Sequence, residues 1–316
     1  MTGELIMGID TSNYTTSVAL ITPNGELVAN IKFPLPVKAG ERGLRQSDAV
    51  FAHVKNLPLA MVEAKKYLSG NKLVAVAASE RPRNVDGSYM PCFLCGIGAR
   101  DSIAAATAVP SYSFSHQCGH IMAALYSAGE VAMLSDEFVA FHISGGTTEM
   151  LSVKGKGDSF DAEIIGGSDD LNAGQVIDRI GVYMSLSFPA GREMERLALS
   201  NTKKIPSKKP KINGLSFNLS GLENLAISLF EKTNDKELTA AFVFDYISKC
   251  LVGVCENYEA QNGKTRFVFS GGVMSNSIIK DTLSKSFDAV FAEPALSADN
   301  AVGIAALALE AYKRRD

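Results

Sequence analysis

Two histidines four residues apart are the most informative chemical feature of this 316-residue chain. His116 and His120 lie in the run HQCGH, and on a helix two residues at this spacing share one face, so both rings can reach one metal ion. A third ligand is still needed, and the best candidate is Asp299, which precedes an alanine-rich C-terminal segment. The alternative is that the two histidines only pack against a helix face, and the spacing alone does not decide between these interpretations.

The elements that must position these residues follow a repeated plan. Residues 5–21 and 138–153 each read as a short apolar strand, a polar turn and a second strand. The repeat predicts two domains built on the same plan, at 1–134 and 135–300. A last helix at 301–313 is expected to return to the first domain, because the aspartate before it must reach the histidine pair.

Helical spacing of apolar residues predicts a helix at 48–68, which Pro58 should kink or split in two. Residues 87–95 read as a loop, and 98–109 as an alanine-rich helix that ends before a proline. These elements complete the first predicted domain.

Glycine pairs follow two of the predicted apolar strands. Gly145 and Gly146 come after the strand that begins at 138, and Gly271 and Gly272 come after the strand predicted at 265–269, where a helix is expected from about Ser275. Such a turn presents bare backbone amides at a helix N-terminus, a site that attracts phosphate or a nucleotide. Each pair read alone fits a plain turn equally well. Recurrence of such turns directly after buried strands favours the nucleotide.

Composition excludes several classes of protein. The net charge of −3 gives no overall attraction to nucleic acid, so RNA contact would need a local patch such as the five lysines of 203–211, which also fit a solvated loop.

No signal peptide or membrane-spanning segment is recognised, and five cysteines, an odd number, indicate reduced thiols in the cytoplasm. Cys92 and Cys95 form a C-x-x-C pair near which Cys118 is expected. They are either a redox or metal site or small buried apolar residues.

Nine runs, in order along nearly the whole chain, resemble the motifs of one known family. They are residues 7–12 (MGIDTS), 51–58 (FAHVKNLP), 116–120 (HQCGH), 143–147 (ISGGT), 173–179 (AGQVIDR), 188–191 (FPAG), 217–222 (FNLSGL), 271–276 (GGVMSN) and 298–300 (ADN). The family is that of the TsaD, Gcp or "glycoprotease" proteins, the tRNA threonylcarbamoyladenosine synthases. The chain looks like a divergent paralogue within it.

The resemblance implies an α/β, two-lobed actin/hexokinase-like (ASKHA) ATPase fold with the ligand cleft between the lobes. It implies transfer of a threonylcarbamoyl group from its adenylate, made from ATP, to an adenosine of tRNA. His116, His120 and Asp299 would hold one Fe²⁺ or Zn²⁺ ion. ATP, AMP or the adenylate would contact a second set of residues: Ile143, Ser144, Gly145, Gly146, Thr147, Asp178, Gly191, Gly272 and Asn276. A smaller ASKHA paralogue and a P-loop ATPase are the partners that the family implies.

Several positions depart from the family pattern. The family's acidic pair in the opening hairpin is replaced by Tyr14 and Thr15, whose hydroxyls cannot act as bases at neutral pH as a carboxylate can. Together with Asp10, these two are the catalytic candidates. Thr147 and Cys118 replace a family histidine and glutamate.

These departures leave four functions open. The chain is a TsaD-like transferase, a carbamoyl transferase with another acceptor, or a nucleotide-binding scaffold without activity. A metalloprotease is the weakest alternative because the chain lacks an H-E-x-x-H motif.

Overall fold

The computed structural model describes residues 3–12, 14–36, 44–297 and 300–315. The chain divides into two compact units. The first consists of Met1–Glu137, Lys154–Ala162 and Ala298–Asp316, and the second of Phe138–Val153 and Glu163–Ser297.

The strands in chain order are β1 (Glu4–Ser12), β2 (Thr15–Ile21), β3 (Leu27–Pro34), β4 (Lys72–Arg81), β5 (Ser111–Ser115), β6 (Glu137–Ile143), β7 (Thr148–Gly155), β8 (Phe160–Ser168), β9 (Ile212–Asn213), β10 (Ser216–Phe217), β11 (Phe267–Ser270) and β12 (Ala289–Phe291). The α-helices are α1 (Gln46–Leu68), α2 (Phe93–Thr107), α3 (His116–Ala128), α4 (Ala173–Tyr183), α5 (Gly191–Leu199), α6 (Ser220–Thr233), α7 (Lys236–Asn262), α8 (Ser277–Ser286), α9 (Pro294–Ser297) and α10 (Val302–Lys313). Short 3₁₀ turns cover Val131–Ser135 and Gly272–Ser275.

The sheet of the first unit has the strand order β3-β2-β1-β4-β5. β1 pairs antiparallel with β2 and parallel with β4. The apolar face of this sheet packs against α1, whose buried side chains include Leu57 and Ala60, and against α2. The β1–β2 hairpin thereby carries Asp10 at a fully buried strand position.

The second unit is built on a sheet with the order β12-β11-β6-β7-β8-β10-β9. β11 pairs parallel with both β6 and β12, so the carboxyl ends of these three strands meet at one edge. A stacked aromatic row of Phe141, Phe269 and Phe291 crosses the three strands. The glycine turns after β6 and β11 are therefore neighbours.

One helix among the described residues, α7, is long and apolar enough to cross a membrane by length and composition. Within its most apolar window, 78% of the residues are buried in the structure. Phe244, Ile247 and Leu251 belong to the main hydrophobic core of the second unit. The apolar character of α7 is thus that of a core helix.

The structure excludes one of the two alternatives for Pro58 and corrects one predicted loop boundary in the first unit. Pro58 lies inside the single helix α1 and does not split it. The loop predicted at 87–95 ends earlier, because α2 begins at Phe93, whose ring is buried with Leu35, Ala49 and Cys92. Burial of that ring favours helix over loop despite the glycines that follow.

Helix α10 approaches the other elements of the first unit at three glycines. A Cβ atom on Gly8 of β1 would lie 2.5 Å from both the carbonyl oxygen of Ala301 and the amide nitrogen of Ala305. A Cβ on Gly303 would collide with the carbonyl of Gly119 in α3. Only glycine allows these backbones to meet so closely.

We therefore expect Gly8→Ala to destabilise the protein by about 3 kcal/mol, at the upper end of the overpacking range, because the obstructing atoms are backbone. Urea unfolding measures the change. Gly98→Ala is the matched control: Gly98 lies in α2 with open space around it, so alanine should be neutral or stabilising by up to about 1 kcal/mol. Equal stabilities of the two variants would contradict the close approach.

Candidate active site

The two histidines meet at the start of α3, directly after β5. The hydroxyl of Ser115 accepts a hydrogen bond from the backbone N–H of Cys118 and caps the helix. His116 and His120 occupy the first and fifth helical positions, and their Nε2 atoms are 3.0 Å apart. The rings lie nearly perpendicular, at 77°. Helical spacing therefore brings both imidazoles to one point, as the sequence predicted.

A buried carboxylate orients the first of these rings. Oδ1 of Asp10 lies 3.0 Å from Nδ1 of His116, and Asp10 has no exposed surface. An aspartate that accepts the Nδ1 proton leaves the lone pair on Nε2, which is how carboxylates support metal-binding histidines. Of the three catalytic candidates, Asp10 thus has a positioning contact with His116.

The donor set fits one divalent ion. Two nitrogens that each lie about 2.1 Å from a shared ion are separated by roughly 3.0–3.4 Å, and the two Nε2 atoms have this spacing. The same distance also fits a hydrogen bond between the rings. Within the ranges that the structure describes, no group of three or more His, Cys, Asp or Glu side chains is arranged to hold a metal.

The predicted third ligand, Asp299, lies outside the described residues. Its neighbour Asn300 is buried, and Oδ1 of Asn300 accepts the N–H of Val302 at the start of α10. Gly303 packs against Gly119, which lies between the two histidines in sequence. The chain therefore enters α10 beside the first turns of α3.

The tip of the β1–β2 hairpin is more exposed than Asp10. Thr15 pairs with Ser12 at the end of the ladder, and the Tyr14 side chain is 44% exposed. The carbonyl of Tyr14 accepts a hydrogen bond from the N–H of Leu35. The catalytic roles of Tyr14 and Thr15 stay predictions.

A third histidine supports the hairpin from behind, and the sequence analysis gave it no role. His53 of α1 is fully buried, and its Nδ1 lies 2.8 Å from Oγ1 of Thr16 in β2. Burial lowers its pKa, opposed by the Ser12 backbone and the charge of Asp10. His53 is therefore neutral at pH 7. Its place in the matching run 51–58 was the available signal.

In the second unit, the turn after β6 presents open backbone. The N–H of Ser144 donates to the carbonyl of Thr147, and the N–H of Gly146 donates to Oγ of Ser144. Nothing lies within 4 Å of a Cβ placed on Gly145 or Gly146. The preceding Ile143 is fully buried and fixes the base of the turn.

The turn after β11 lies beside it. Gly271 has φ +96°, and a Cβ there would strike the carbonyl of Ile143, so glycine is required at this approach. Gly272 is open, and buried Asn276 caps α8 by accepting the N–H of Ile279 through Oδ1. Two turns at the carboxyl ends of adjacent parallel strands form an edge of the kind at which α/β sheets bind ligands.

Asp178 holds a third open backbone position. Its Oδ1 accepts the N–H of Ala190 at 2.8 Å, immediately before Gly191 begins α5. Burial raises the pKa of this carboxyl, and the hydrogen bond from Ala190 partly offsets the rise. A Cβ on Gly191 would meet no atom within 4 Å. Asp178 thereby fixes the turn that exposes Gly191.

Sequence reasoning also missed Asp170. Its carboxylate accepts hydrogen bonds from the N–H groups of Leu171, Leu219 and Ser220 and from the Ser220 hydroxyl. Desolvation would raise the pKa of Asp170, but these bonds outweigh it and hold the pKa far below its usual range. Asp170 thus anchors the N-terminus of α6 within the matching run 217–222.

The cysteines are free thiols. Burial, helped by the charge of Asp10, raises the pKa of Cys92 to about 12, and burial also raises the pKa of Cys95. Buried Cys118 lies 3.2 Å from Nδ2 of Asn84. Cys92 and Cys118 are buried and Cys95 is half-buried. The raised pKa values of Cys92 and Cys95 favour the interpretation as small apolar residues over a reactive redox pair.

Comparisons with known proteins agree with the motif order. A family model described as TsaD, tRNA N6-adenosine threonylcarbamoyltransferase, matches residues 36–306. The chain is 28% identical to the protein of that name from Neorickettsia sennetsu, over 99% of this chain and 95% of that protein. It is 30% identical to the one from Streptococcus agalactiae, over 98% and 92%.

Solved structures show the fold. HypF from T. kodakarensis aligns with a TM-score of 0.64 at 13% identity, over 99% of this chain, which spans 48% of the HypF chain. A ROK family glucokinase from Streptomyces griseus aligns with a TM-score of 0.52 at 15% identity, over 96% and 99% of the two chains. The predicted α/β actin/hexokinase-like fold is confirmed.

The neutral state of His53 predicts a pH dependence of stability. Its folded pKa lies below the ordinary value of about 6.5, so at acidic pH the unfolded chain binds the proton first. This contribution to stability is present above about pH 6.5 and is lost as the pH falls below it. We expect the free energy difference between wild type and His53→Gln, from urea unfolding at pH 5 to 8, to shrink on acidification. Parallel curves would contradict the assignment.

Proposed function

The chain belongs to the TsaD family of tRNA N6-adenosine threonylcarbamoyltransferases, and from this premise we propose that it transfers a threonylcarbamoyl group from its adenylate to N6 of an adenosine in tRNA. The transfer breaks the acyl–phosphate bond of the adenylate and releases AMP and the proton lost from N6. The observation that carries the proposal is the convergence of His116 and His120 above buried Asp10. With its Nδ1 proton donated to Asp10, His116 would present the Nε2 lone pair that a metal requires.

The proposed metal is Fe²⁺ or Zn²⁺, held by His116, His120 and Asp299. When bound, such an ion supplies Lewis-acid polarisation of a carbonyl and neutralises phosphate charge. The protein's own contribution is positional. Asp10 would keep the proton on Nδ1 of His116. Helix α10, which follows Asp299 in the sequence, packs Gly303 against Gly119 of α3.

The proposed adenylate site uses the glycine turns of the second unit. The turn Ser144–Thr147 would bind the phosphate through the amides of Gly145 and Thr147 and the side-chain hydroxyls. The amides of Ser144 and Gly146 donate within the turn itself. Ile143, the buried residue directly before this turn, would hold the turn in place beside the nucleotide. The second oxygen of Asp178 would accept a hydrogen bond from a ribose hydroxyl, because its first is bound to Ala190.

The adenosine part of the adenylate would lie against the other two open glycines. Gly191 and Gly272 have no neighbours where a side chain would be, so a nucleoside could approach their backbone closely. Asn276 uses Oδ1 to cap α8 and retains Nδ2 as a donor toward the nucleotide.

The loss of the family's acidic pair favours a second candidate. With Tyr14 and Thr15 at the hairpin tip, the chain would act on another acceptor or serve as a nucleotide-binding scaffold without transferase activity. The decisive experiment is nucleoside analysis of unmodified tRNA after incubation with the protein, threonine, bicarbonate, ATP and candidate partner proteins. Threonylcarbamoyladenosine in the digest supports the transferase. ATP or AMP binding without product supports the second candidate.

We expect Asp10→Asn to weaken metal affinity about 10- to 100-fold, the usual cost of losing a supporting carboxylate, and to lower transfer in parallel. His116→Ala should abolish metal binding. Metal content by elemental analysis, with unfolding curves as a check on folding, provides the readout. Thr15→Ala and Tyr14→Phe are controls for the hairpin tip: if both retain full transfer, the tip is not catalytic. Full metal occupancy in His116→Ala would overturn the ligand assignment.

The smaller paralogue that the resemblance implies would bind the outer face of α1. Four apolar side chains on this face are 53–64% exposed: Phe51, Val54, Leu59 and Val62. The opposite side of α1 carries the buried residues Ala49, His53, Leu57, Ala60 and Ala64. An apolar face opposite the one packed on the sheet is typical of a helix that docks against another protein.

We expect the double variant Phe51→Glu, Val62→Glu to lose the partner, because two charges would be buried in an apolar contact. Size-exclusion chromatography of the chain mixed with the candidate paralogue provides the measurement. The matched control is Val182→Glu, Leu199→Glu, which changes two exposed apolar residues of the second unit. Retention of the complex by the α1 variant would exclude this face.

A further inference from the structure

Residues 203–211, the lysine segment, concentrate positive charge in a chain whose net charge is −3. Five of the 31 lysines and arginines fall within these nine residues, where none of the 34 aspartates and glutamates does. No acidic residue occurs anywhere between Arg196 and Glu223. The segment is therefore the chain's strongest local attraction for a polyanion.

The structure holds this segment in place without helix or strand. Nζ of Lys203 lies 2.5 Å from Oδ2 of Asp235 at the start of α7. Ile205 and Ile212 pack against the core of the second unit. Pro206 and Pro210 each fix a backbone dihedral, which reduces the conformational freedom that binding would remove. The lysine side chains thus extend from a backbone segment that is held in place by these contacts.

Four lysines of the segment remain available to a ligand. Lys204, Lys208, Lys209 and Lys211 are all exposed, and among the described residues no carboxylate forms an ion pair with them. The seven residue steps from Lys204 to Lys211 span at most about 25 Å when extended. That length suits several successive phosphates rather than a single small anion.

The segment also lies at a suitable distance from the proposed adenylate site. Helix α5 begins at Gly191 and ends at Leu199, just before the lysines. Nine helical residues extend about 13 Å. In the proposed transfer, the acceptor adenosine of the RNA must reach the acyl group of an adenylate whose nucleoside lies at Gly191, so phosphates that flank the acceptor would come near the lysine segment.

We propose that the lysine segment binds the phosphate backbone of the tRNA substrate beside the modified adenosine. The inference rests on the proposed function and adds the surface that holds the RNA. Lysine ammonium groups act as point charges on phosphates and read no sequence. The segment supplies affinity, and choice of adenosine belongs to the site itself.

The test is equilibrium binding of an unmodified tRNA transcript at several salt concentrations, in the partner mixture used for transfer. The variant changes Lys204, Lys208, Lys209 and Lys211 to Gln, and the matched control changes Lys232, Lys264, Lys280 and Lys285, all in the second unit. We expect the first variant to raise Kd at least about tenfold near 0.1 M salt. We also expect its slope of log affinity against log salt to be shallower by about 3, since each phosphate contact contributes about 0.7–0.9.

The outcomes separate this inference from the proposed function. If both quadruple variants bind tRNA alike while wild type performs transfer, the lysine segment is not the RNA surface and the function stands. If wild type neither binds tRNA nor modifies it, the proposed function itself fails. A variant that loses binding to phosphatidylserine vesicles but keeps tRNA affinity would overturn the inference in favour of a lipid surface.

Discussion

The close backbone contact of α10 with β1 and α3 is the constraint on which the first unit depends. At Gly8, Gly119 and Gly303, an added side chain would collide with the neighbouring element. As a result, the C-terminal helix packs against the strand that carries Asp10 and the helix that carries His116. Residues separated by nearly the whole chain length thus share one core.

Buried polar groups then convert this packing into a defined site. Asp10 is desolvated, and a buried carboxylate is stable only where it receives hydrogen bonds or faces a charge. Nδ1 of His116 supplies that partner from α3, and His53 braces Thr16 on the neighbouring strand. His116 and His53 thus each contact a residue of another element. The geometry of the pair His116 and His120 therefore depends on how the sheet and helices of the first unit pack together.

The sequence predicted what depends on spacing and missed what depends on distant partners. The i, i+4 histidine pair, the strands ending in glycine turns and the order of motifs follow local rules, and the structure contains them. The role of Asp10 at His116, the position of His53 and the clamp by Asp170 depend on contacts between elements that are distant in sequence. These contacts join β1 to α3, β2 to α1, and the loop after β8 to α6. The start of α2 was misplaced because burial of Phe93 outweighed the glycines.

Positions that keep the residue type of the family pattern differ in physical role from positions that replace it. Gly145, Gly191 and Gly272 leave open space beside their backbone, and the carboxylates of Asp10 and Asp178 hold a ring and a turn in place. The replaced positions, Tyr14 and Thr15, could only have supplied charge or proton transfer near the reacting groups. A tyrosine hydroxyl can still donate a hydrogen bond to a developing negative charge, but it does not remove a proton at neutral pH. The proposed transfer therefore depends on positioning and fixed electrostatics, the contributions that commonly dominate acyl transfer, rather than on a carboxylate base at the hairpin tip.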